Sequence, residues 1–498
     1  MTATAAIAPA TERILRRNVA VGTLGLAARG AHVILLLAVG RALGEAVLGQ
    51  LLVGLALFEV AAAIAATGFT DGTLVLVSRR AGTDGATRVV VTGLLLGGAA
   101  ALVIALGATV GARALAHLGP GVASLTALPA WRWLAWSLVP AVIARVTLAA
   151  ITAHLRPEWE AIAGGAGPAL GLSLALPAVL VTRAGVGGLF MAMFVVQVLL
   201  AAVGVRGLLR HTSGGALLRA LARPQLDREL LAFAAPQAVN MAASTYLGRL
   251  DLLVLAACGL PAATVGAYGA VAATIIELRQ VRGVVSGAMA PLIARHHQAG
   301  QRLAIGQTLS RGAGWVASLI VPLALALFVL HADLLHLVTP GYHGATAFPV
   351  ILLLGPLVNG LGGLSGNFLI FLQRNRYNLG NSLFVAVANT ALAFLLVPRL
   401  GLVGAALAGA LGMATVTVLE NVELFLIEGL HIERQALAPA LATLAGGSVL
   451  AAVADRLEVF PTTGARILLA AALGLGAAAL LRAGGATRVG QEAVGTSP

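Results

Sequence analysis

Val89-Val-Val-Thr-Gly-Leu-Leu-Leu-Gly-Gly-Ala-Ala-Ala-Leu-Val-Ile-Ala-Leu-Gly-Ala-Thr-Val-Gly111 carries no charged side chain from end to end. Wound as an α-helix rising about 1.5 Å per residue it is ~35 Å long, enough to cross the ~30 Å hydrocarbon core of a bilayer. Similar stretches recur along the 498 residues, which are 59% hydrophobic and only 10% charged, with a mean hydropathy of +0.96. A soluble domain carries roughly 25% charged residues, and a chain this apolar would expose far too much greasy surface in water. The pattern predicts an all-α polytopic membrane protein of about fourteen transmembrane helices. They are expected at 18–40, 47–68, 89–111, 131–153, 161–181, 186–208, 230–257, 263–291, 312–331, 348–371, 379–398, 403–427, 437–454 and 467–481.

The net charge is +13 and every one of the 32 basic residues is Arg. Without Lys there is no Walker A motif and no Schiff-base chemistry, so ATP hydrolysis by this chain is excluded. An all-Arg complement suits forked contact with phosphate, but a GC-rich genome converting Lys codons to Arg is the plainer account. Cys258 stands alone, which excludes an internal disulfide or a cysteine-based zinc site. The apolar run after Arg13, Arg16 and Arg17 is too long for a signal-peptide core and reads as a retained first helix.

Loop arginines set an orientation. With the N-terminus inside, Arg79, Arg80, Arg88, Arg156, Arg206, Arg210, Arg219, Arg223, Arg228 and Arg295 are among those on the cytoplasmic side. The other side receives Arg41, Arg113, Arg132, Arg183, Arg399, Arg456 and Arg466. Arginine accumulates on cytoplasmic loops, so both termini are expected inside.

The two halves repeat. Gly44 and Gly49 bracket the loop before span 2 as Gly259 and Gly266 bracket the loop before span 8. Val181-Thr-Arg183-Ala-Gly185-Val-Gly-Gly188 also matches Val397-Pro-Arg399-Leu-Gly401-Leu-Val-Gly404 at nearly the same offset. A six-helix period gives two parallel repeats related by an axis along the membrane normal. The expected division is a cytoplasmic segment 1–17, a first lobe 18–210 (helices 1–6), a linker 211–229, a second lobe 230–430 (helices 7–12), helices 13 and 14 over 431–482, and a cytoplasmic tail 483–498. Glycines beside the loops serve sharp turns and close helix approach.

The segment Asn389-Thr-Ala-Leu-Ala-Phe-Leu-Leu-Val-Pro398-Arg-Leu-Gly401-Leu-Val-Gly404-Ala-Ala, the pair of pieces Leu250-Asp251-Leu-Leu-Val-Leu and Val265-Gly266-Ala-Tyr268 with Pro291, and Arg41-Ala-Leu-Gly44 with Leu48-Gly49 resemble a known family. They look like the polysaccharide and lipid-linked oligosaccharide flippases of the multidrug/oligosaccharidyl-lipid/polysaccharide exporter superfamily, over residues 15–425. The resemblance implies a multi-pass protein of the bacterial cytoplasmic membrane. It would carry an isoprenoid-pyrophosphate-linked oligosaccharide (an O-antigen, exopolysaccharide or capsule unit) across by alternating access. It implies no cofactor and no nucleic acid. The partners it implies are the lipid-linked saccharide, membrane lipids and the polysaccharide polymerase or export machinery, with a monomeric chain.

Ionisable residues at bilayer depth are costly and mark function by default. Arg29 lies ~17 Å into helix 1, Glu59 at similar depth in helix 2, and Arg145 well inside helix 4. Arg249 and Asp251 fall toward the outer end of helix 7, and Glu277, Arg279 and Arg282 lie in helix 8. Apart from Arg145 and the pair Glu420/Glu423 in helix 12, these charges occupy helices 1, 2, 7 and 8, which the repeat makes equivalent and which line the central cavity in the family. Arg29, Arg145, Arg249, Arg279 and Arg282 are therefore candidates for binding a pyrophosphate head group bidentately. Glu59, Asp251 and Glu277 are candidates for ion coupling or ion pairing. Two other readings stand beside these: Arg and Glu pair to join helices, or Arg249 and Arg282 extend to water from helix ends. The histidines supply no closed ligand set, so no metal is expected.

Three rivals remain. A peptidoglycan lipid-precursor flippase also has a fourteen-helix arrangement. A cation-coupled drug exporter would favour intramembrane acids over arginines. A saccharide-lipid enzyme would need catalytic residues outside the membrane, yet the longest outer connection, Ala112–Ala130, offers only Arg113 and His117.

Overall fold

A computed structural model of the chain describes residues 33–80, 83–153, 167–211, 214–223, 225–338, 347–372, 374–457, 459 and 462–492. Every regular element among them is helical, as expected for an all-α polytopic membrane protein. Nine described helices are long and apolar enough to cross a bilayer, and a bent pair makes a tenth. They coincide with the spans expected at 47–68, 89–111, 131–153, 186–208, 312–331, 348–371, 379–398, 403–427, 437–454 and 467–481. Most of the expected first span and the start of the fifth lie outside the described residues. Large apolar side chains such as Val110, Val387 and Leu475 stand exposed on the helices, which hydrocarbon accepts and water penalises.

Packing divides the chain into two compact units, Met1–Ala270 and Val271–Pro498. The first begins with α1 (Val33–Leu43) and α2 (Glu45–Ala62), which passes through a π-helical turn, Ala63–Thr67, into α3 (Gly68–Arg79). Next come α4 (Asp84–Val110), the short α5 (Ala112–Ala116), α6 (Pro120–Thr126) and α7 (Trp131–Trp136), then α8 (Leu138–Thr152). After α9 (Gly167–Thr182) and α10 (Gly185–His211) comes the short α11 (Gly214–Ala222). The unit closes with α12 (Arg228–Leu247), α13 (Leu250–Ala257) and the first part of α14 (Ala262–Ile276). Helix α8 packs against both α4 and α10, burying Leu138, Val142, Val146, Leu148 and Ile151. At the expected cytoplasmic end, Leu76, Val77, Val89, Leu208, Leu217 and Leu230 join in one apolar cluster. Helix α12 starts where the Asp227 side chain accepts the Leu230 N–H at 3.0 Å, an N-cap that satisfies one of the end's orphan donors.

In the second unit, α15 (Leu278–Gln298) and α16 (Arg302–Val329) are followed by α17 (His331–Val338) and the bent pair α18 (Phe348–Gly362) and α19 (Leu364–Phe371). Then come α20 (Asn375–Leu400), α21 (Leu402–Glu428), α22 (Arg434–Arg456) and α23 (Thr463–Glu492). Helix α21 packs on α18 and α20, whereas the C-terminal α22 and α23 pack on α16.

The matched glycines of the repeat share their backbone geometry. Gly185 and Gly401 both take positive φ, 56° and 57°, and so do Gly44 and Gly259. A side chain disfavours that region, so the same turn is made twice by the same means. Gly49 and Gly266 meet directly. A Cβ on Gly49 would strike the Ala262 carbonyl and lie 2.9 Å from the Gly266 nitrogen; one on Gly266 would strike the Glu45 carbonyl and lie 2.9 Å from the Gly49 nitrogen. Small residues at these positions let the two helix backbones approach closely.

Two expected helices differ from the sequence reading. The single spans over 230–257 and 263–291 are each broken, at Gly248–Arg249 and at Glu277. Arg249 leaves the helical region (φ −124°, ψ −1°), and the Asp251 carboxylate takes the Leu252 N–H at 2.9 Å, a local bond that competes with helix continuation. At Glu277 the chain tightens into a turn in which the Gln280 N–H meets the Glu277 carbonyl at 3.0 Å. Apolar content reads a span as continuous, and the breaks at Gly248–Arg249 and Glu277 fall where charged residues interrupt the apolar run.

Candidate functional site

The described intramembrane charges form a separate cluster in each unit. In the first, the Arg249 guanidinium, freed by the break between α12 and α13, forks onto the Glu59 carboxylate of α2. Its Nε donates at 2.5 Å and Nη2 at 2.9 Å. Arg145 of α8 is half-buried and lies within electrostatic reach of the same Glu59. Two guanidinium groups thus act on one carboxylate, and Arg249 also acts electrostatically on Asp251. Asp251, two residues from Arg249, is held elsewhere: it accepts the hydroxyl of fully buried Tyr268 at 2.8 Å. These two residues, quoted from separate sequence pieces, form one bonded pair between α13 and α14. Asp71 of α3 has a partner of its own, the Gln237 amide of α12, which donates to it at 2.8 Å.

In the second unit, Glu277 occupies the break before α15, with Arg279 and Arg282 just beyond it. Arg282 donates to the Gly363 carbonyl at 2.9 Å. That carbonyl sits at the 43° bend between α18 and α19, where the helical ladder is interrupted and its acceptors need partners. Arg282 and Arg279 also act electrostatically on Glu420 of α21. The Glu420 side chain is buried against Gly366, where a Cβ would collide with the carboxylate. Amides and hydroxyls continue the polar band. Asn359 donates to Thr417 at 3.0 Å, Ser365 to Asn421 at 2.8 Å, Asn367 to Ser286 at 2.8 Å, and Asn381 to Glu423 at 2.6 Å. This cluster holds more acids than arginines.

Of the candidates chosen from sequence, Arg145, Arg249 and Glu59 are brought together, Arg279 and Arg282 share a second cluster, and Asp251 faces Tyr268. Arg29 lies outside the described residues. Arg249 pairs with Glu59 across two helices. Sequence reasoning gave Glu420 no role and missed the asparagine band. A compositional signal was available, because seven of the nine Asn lie between Asn359 and Asn421, in segments otherwise apolar.

Broken and bent helices carrying charges at their interruptions, in an all-α polytopic frame, recur in secondary-transporter folds. No family model matches the sequence, and no curated protein is similar to it in sequence. Among solved structures, the chain is similar to "Lipid II flippase MurJ, inward closed conformation". The TM-score is 0.70 at 11% identity, covering 94% of this chain and 97% of that one. It is also similar to an inward-facing multidrug resistance MATE family transporter of the MOP superfamily, with a TM-score of 0.58 at 18% identity, covering 82% and 94%. A third similarity is to the MATE multidrug transporter DinF-BH, with a TM-score of 0.58 at 18% identity, covering 83% and 95%. The fold is therefore the one shared by these flippases and exporters.

Proposed function

We propose that the chain is a flippase that moves an isoprenoid-pyrophosphate-linked oligosaccharide, such as an O-antigen, exopolysaccharide or capsule unit, across the cytoplasmic membrane by alternating access. The observation that carries this reading is the gathering of Arg145 and Arg249 at Glu59, two guanidinium groups at membrane depth in a flippase-like fold. Guanidinium groups recognise phosphate bidentately, and in a low-dielectric site their attraction to an anionic head group is strengthened. In the second unit, Arg279 and Arg282 offer phosphate the same chemistry. The acid-rich set around them, Glu277, Glu420 and Glu423, suits coupling to an ion. One charge moved through 100 mV supplies about 2.3 kcal/mol, so no nucleotide is required.

A second reading, a flippase for the peptidoglycan lipid precursor, draws support from the similarity to the lipid II flippase, which spans 94% of this chain and so extends beyond the two six-helix repeats. Lipid-linked glycans should be measured in a host lacking its own flippase, with and without this chain, and with Arg145→Ala and Arg279→Ala at matched expression. Clearance of the cytoplasmic-facing intermediate by wild type and its return in the variants supports the flippase and its arginines. The lipid that clears, peptidoglycan precursor or another glycan, decides between the two readings. Failure with the native organism's own glycan lipids as well would favour a drug exporter instead.

A further inference from the structure

The short helix α11 lies beside a second concentration of arginine, away from the two intramembrane clusters. Leu217 anchors it in the apolar cluster with Leu76, Val89, Leu208 and Leu230, and Ala220 packs on the same cluster. With that face docked, Arg219 and Arg223 stand exposed. Together with Arg88, Thr87 and Val91 of α4 and with Gln225, they line a cavity of about 320 Å³. A phosphate group fits such a space with room for its substituents.

The acids of this region are engaged elsewhere. Asp227 accepts from Arg80 at 2.6 Å and from the Leu230 N–H, and Glu229 is paired with Arg80. Arg88 donates instead to the neutral Gln225 at 2.5 Å. The Nε of Arg219 turns to its own helix at the Gly215 carbonyl, 3.1 Å away, which leaves its two terminal nitrogens for a ligand. Among the described residues, none of Arg88, Arg219 and Arg223 forms an ion pair with a carboxylate. Arg88 lies within electrostatic reach of Asp227, which Arg80 already engages; three guanidinium groups on one cavity wall repel one another, and a phosphate would neutralise them with charge-assisted bonds. The same helix leaves Leu218 69% exposed and Leu221 37% exposed. Exposed leucines beside arginines on a short helix are the pattern of an element lying in the membrane interface, where the cytoplasmic leaflet is anionic.

We propose that the cavity between α4 and α11 binds the phosphate of an anionic lipid headgroup. The proposal is independent of which substrate the protein moves.

The purified full chain should be placed in nanodiscs containing equal phosphatidylglycerol and phosphatidylcholine, and the retained lipid counted by native mass spectrometry. Wild type is expected to retain phosphatidylglycerol selectively. Arg219→Gln/Arg223→Gln should lower that retention about 25-fold, roughly fivefold per arginine, and Arg456→Gln should leave it unchanged. Arg88→Gln, on the other wall, should give about fivefold by itself, which keeps the test intact if the double variant folds poorly. Equal retention in wild type, Arg88→Gln and the double variant overturns the site. In a parallel arm, inorganic phosphate is titrated against detergent-purified protein. Arginine-dependent binding of inorganic phosphate without selectivity for phosphatidylglycerol overturns the lipid assignment in favour of a soluble phosphate compound.

Discussion

A guanidinium forked onto a carboxylate inside a membrane is stable only while both partners remain. Removing one leaves an unpaired charge in a medium that solvates it poorly. The side chains of Arg249 and Glu59 keep 30% and 34% exposure, so the cost falls below that of a fully buried pair. Arg249→Ala should destabilise the protein by about 1–3 kcal/mol, read as a lowered unfolding midpoint in detergent. The exchange Glu59→Arg/Arg249→Glu should recover part of it; if the exchange is as unstable as the single variant, the pair is not a direct one. A second residue-scale prediction concerns pH. Asp227 is partly desolvated, which opposes its charge, yet the Leu230 N–H and the Arg80 guanidinium hold its carboxyl below the usual range. A depressed folded value means the contribution is present above the ordinary value of about 3.9 and is lost as pH falls through the lowered folded one. Asp227→Asn should therefore be less stable than wild type at pH 7. The gap should close when both are melted at successively lower pH down to about 3, and a gap that persists there would show that the charge contributes nothing.

At the scale of the element, two features position the charges: the crossing of α2 and α14 at Gly49 and Gly266, and the breaks in the helices. The crossing has no space for a methyl group, and what a Cβ meets on either side is backbone, which cannot turn aside as a side chain can. Gly266→Ala should force the helices apart, displacing Tyr268 from Asp251 and costing several kcal/mol, in the range of severe overpacking. The monodisperse fraction on size exclusion should collapse, whereas Gly98→Ala, at a position with open space around it, should behave as wild type. Similar elution of the two variants would show that α2 and α14 are not in close contact. The breaks at Arg249 and Glu277 and the bend at Gly363 serve a different end. Each interrupts a backbone ladder at the level where an arginine or glutamate stands, so polar backbone and charged side chains answer one another inside the membrane.

For the whole molecule, the distribution of arginine predicts one orientation, with the linker around Arg223 inside and the loop around Leu118 outside. Cys258 is the only cysteine, so Cys258→Ser gives a background in which single cysteines report sidedness. Leu118→Cys, at a side chain 58% exposed, should react with an impermeant maleimide in intact cells, and Arg223→Cys only after permeabilisation. The reverse pattern would invert the topology and place the α11 cavity on the wrong leaflet.

The sequence by itself determined the solvent of this protein and its all-helical class. Uncharged runs such as Val89–Gly111 demand lipid, and Gly44, Gly185 and the glycines matched to them, Gly259 and Gly401, all take positive φ at their turns. These are properties of composition and local backbone, readable without knowing what touches what. Only the tertiary structure decided the site. Helix rotation sets whether Arg249 meets Glu59, Tyr268 or open space, and a linear chain does not encode rotation in any short window. The same holds for Arg282, whose partner is a backbone carbonyl at Gly363, and for Glu420, seated against Gly366. It holds again for Arg88, Arg219 and Arg223, scattered in sequence as loop charges and gathered by the docking of Leu217. Charge at depth is visible residue by residue; its pairing is a long-range contact, and long-range contacts are what folding decides.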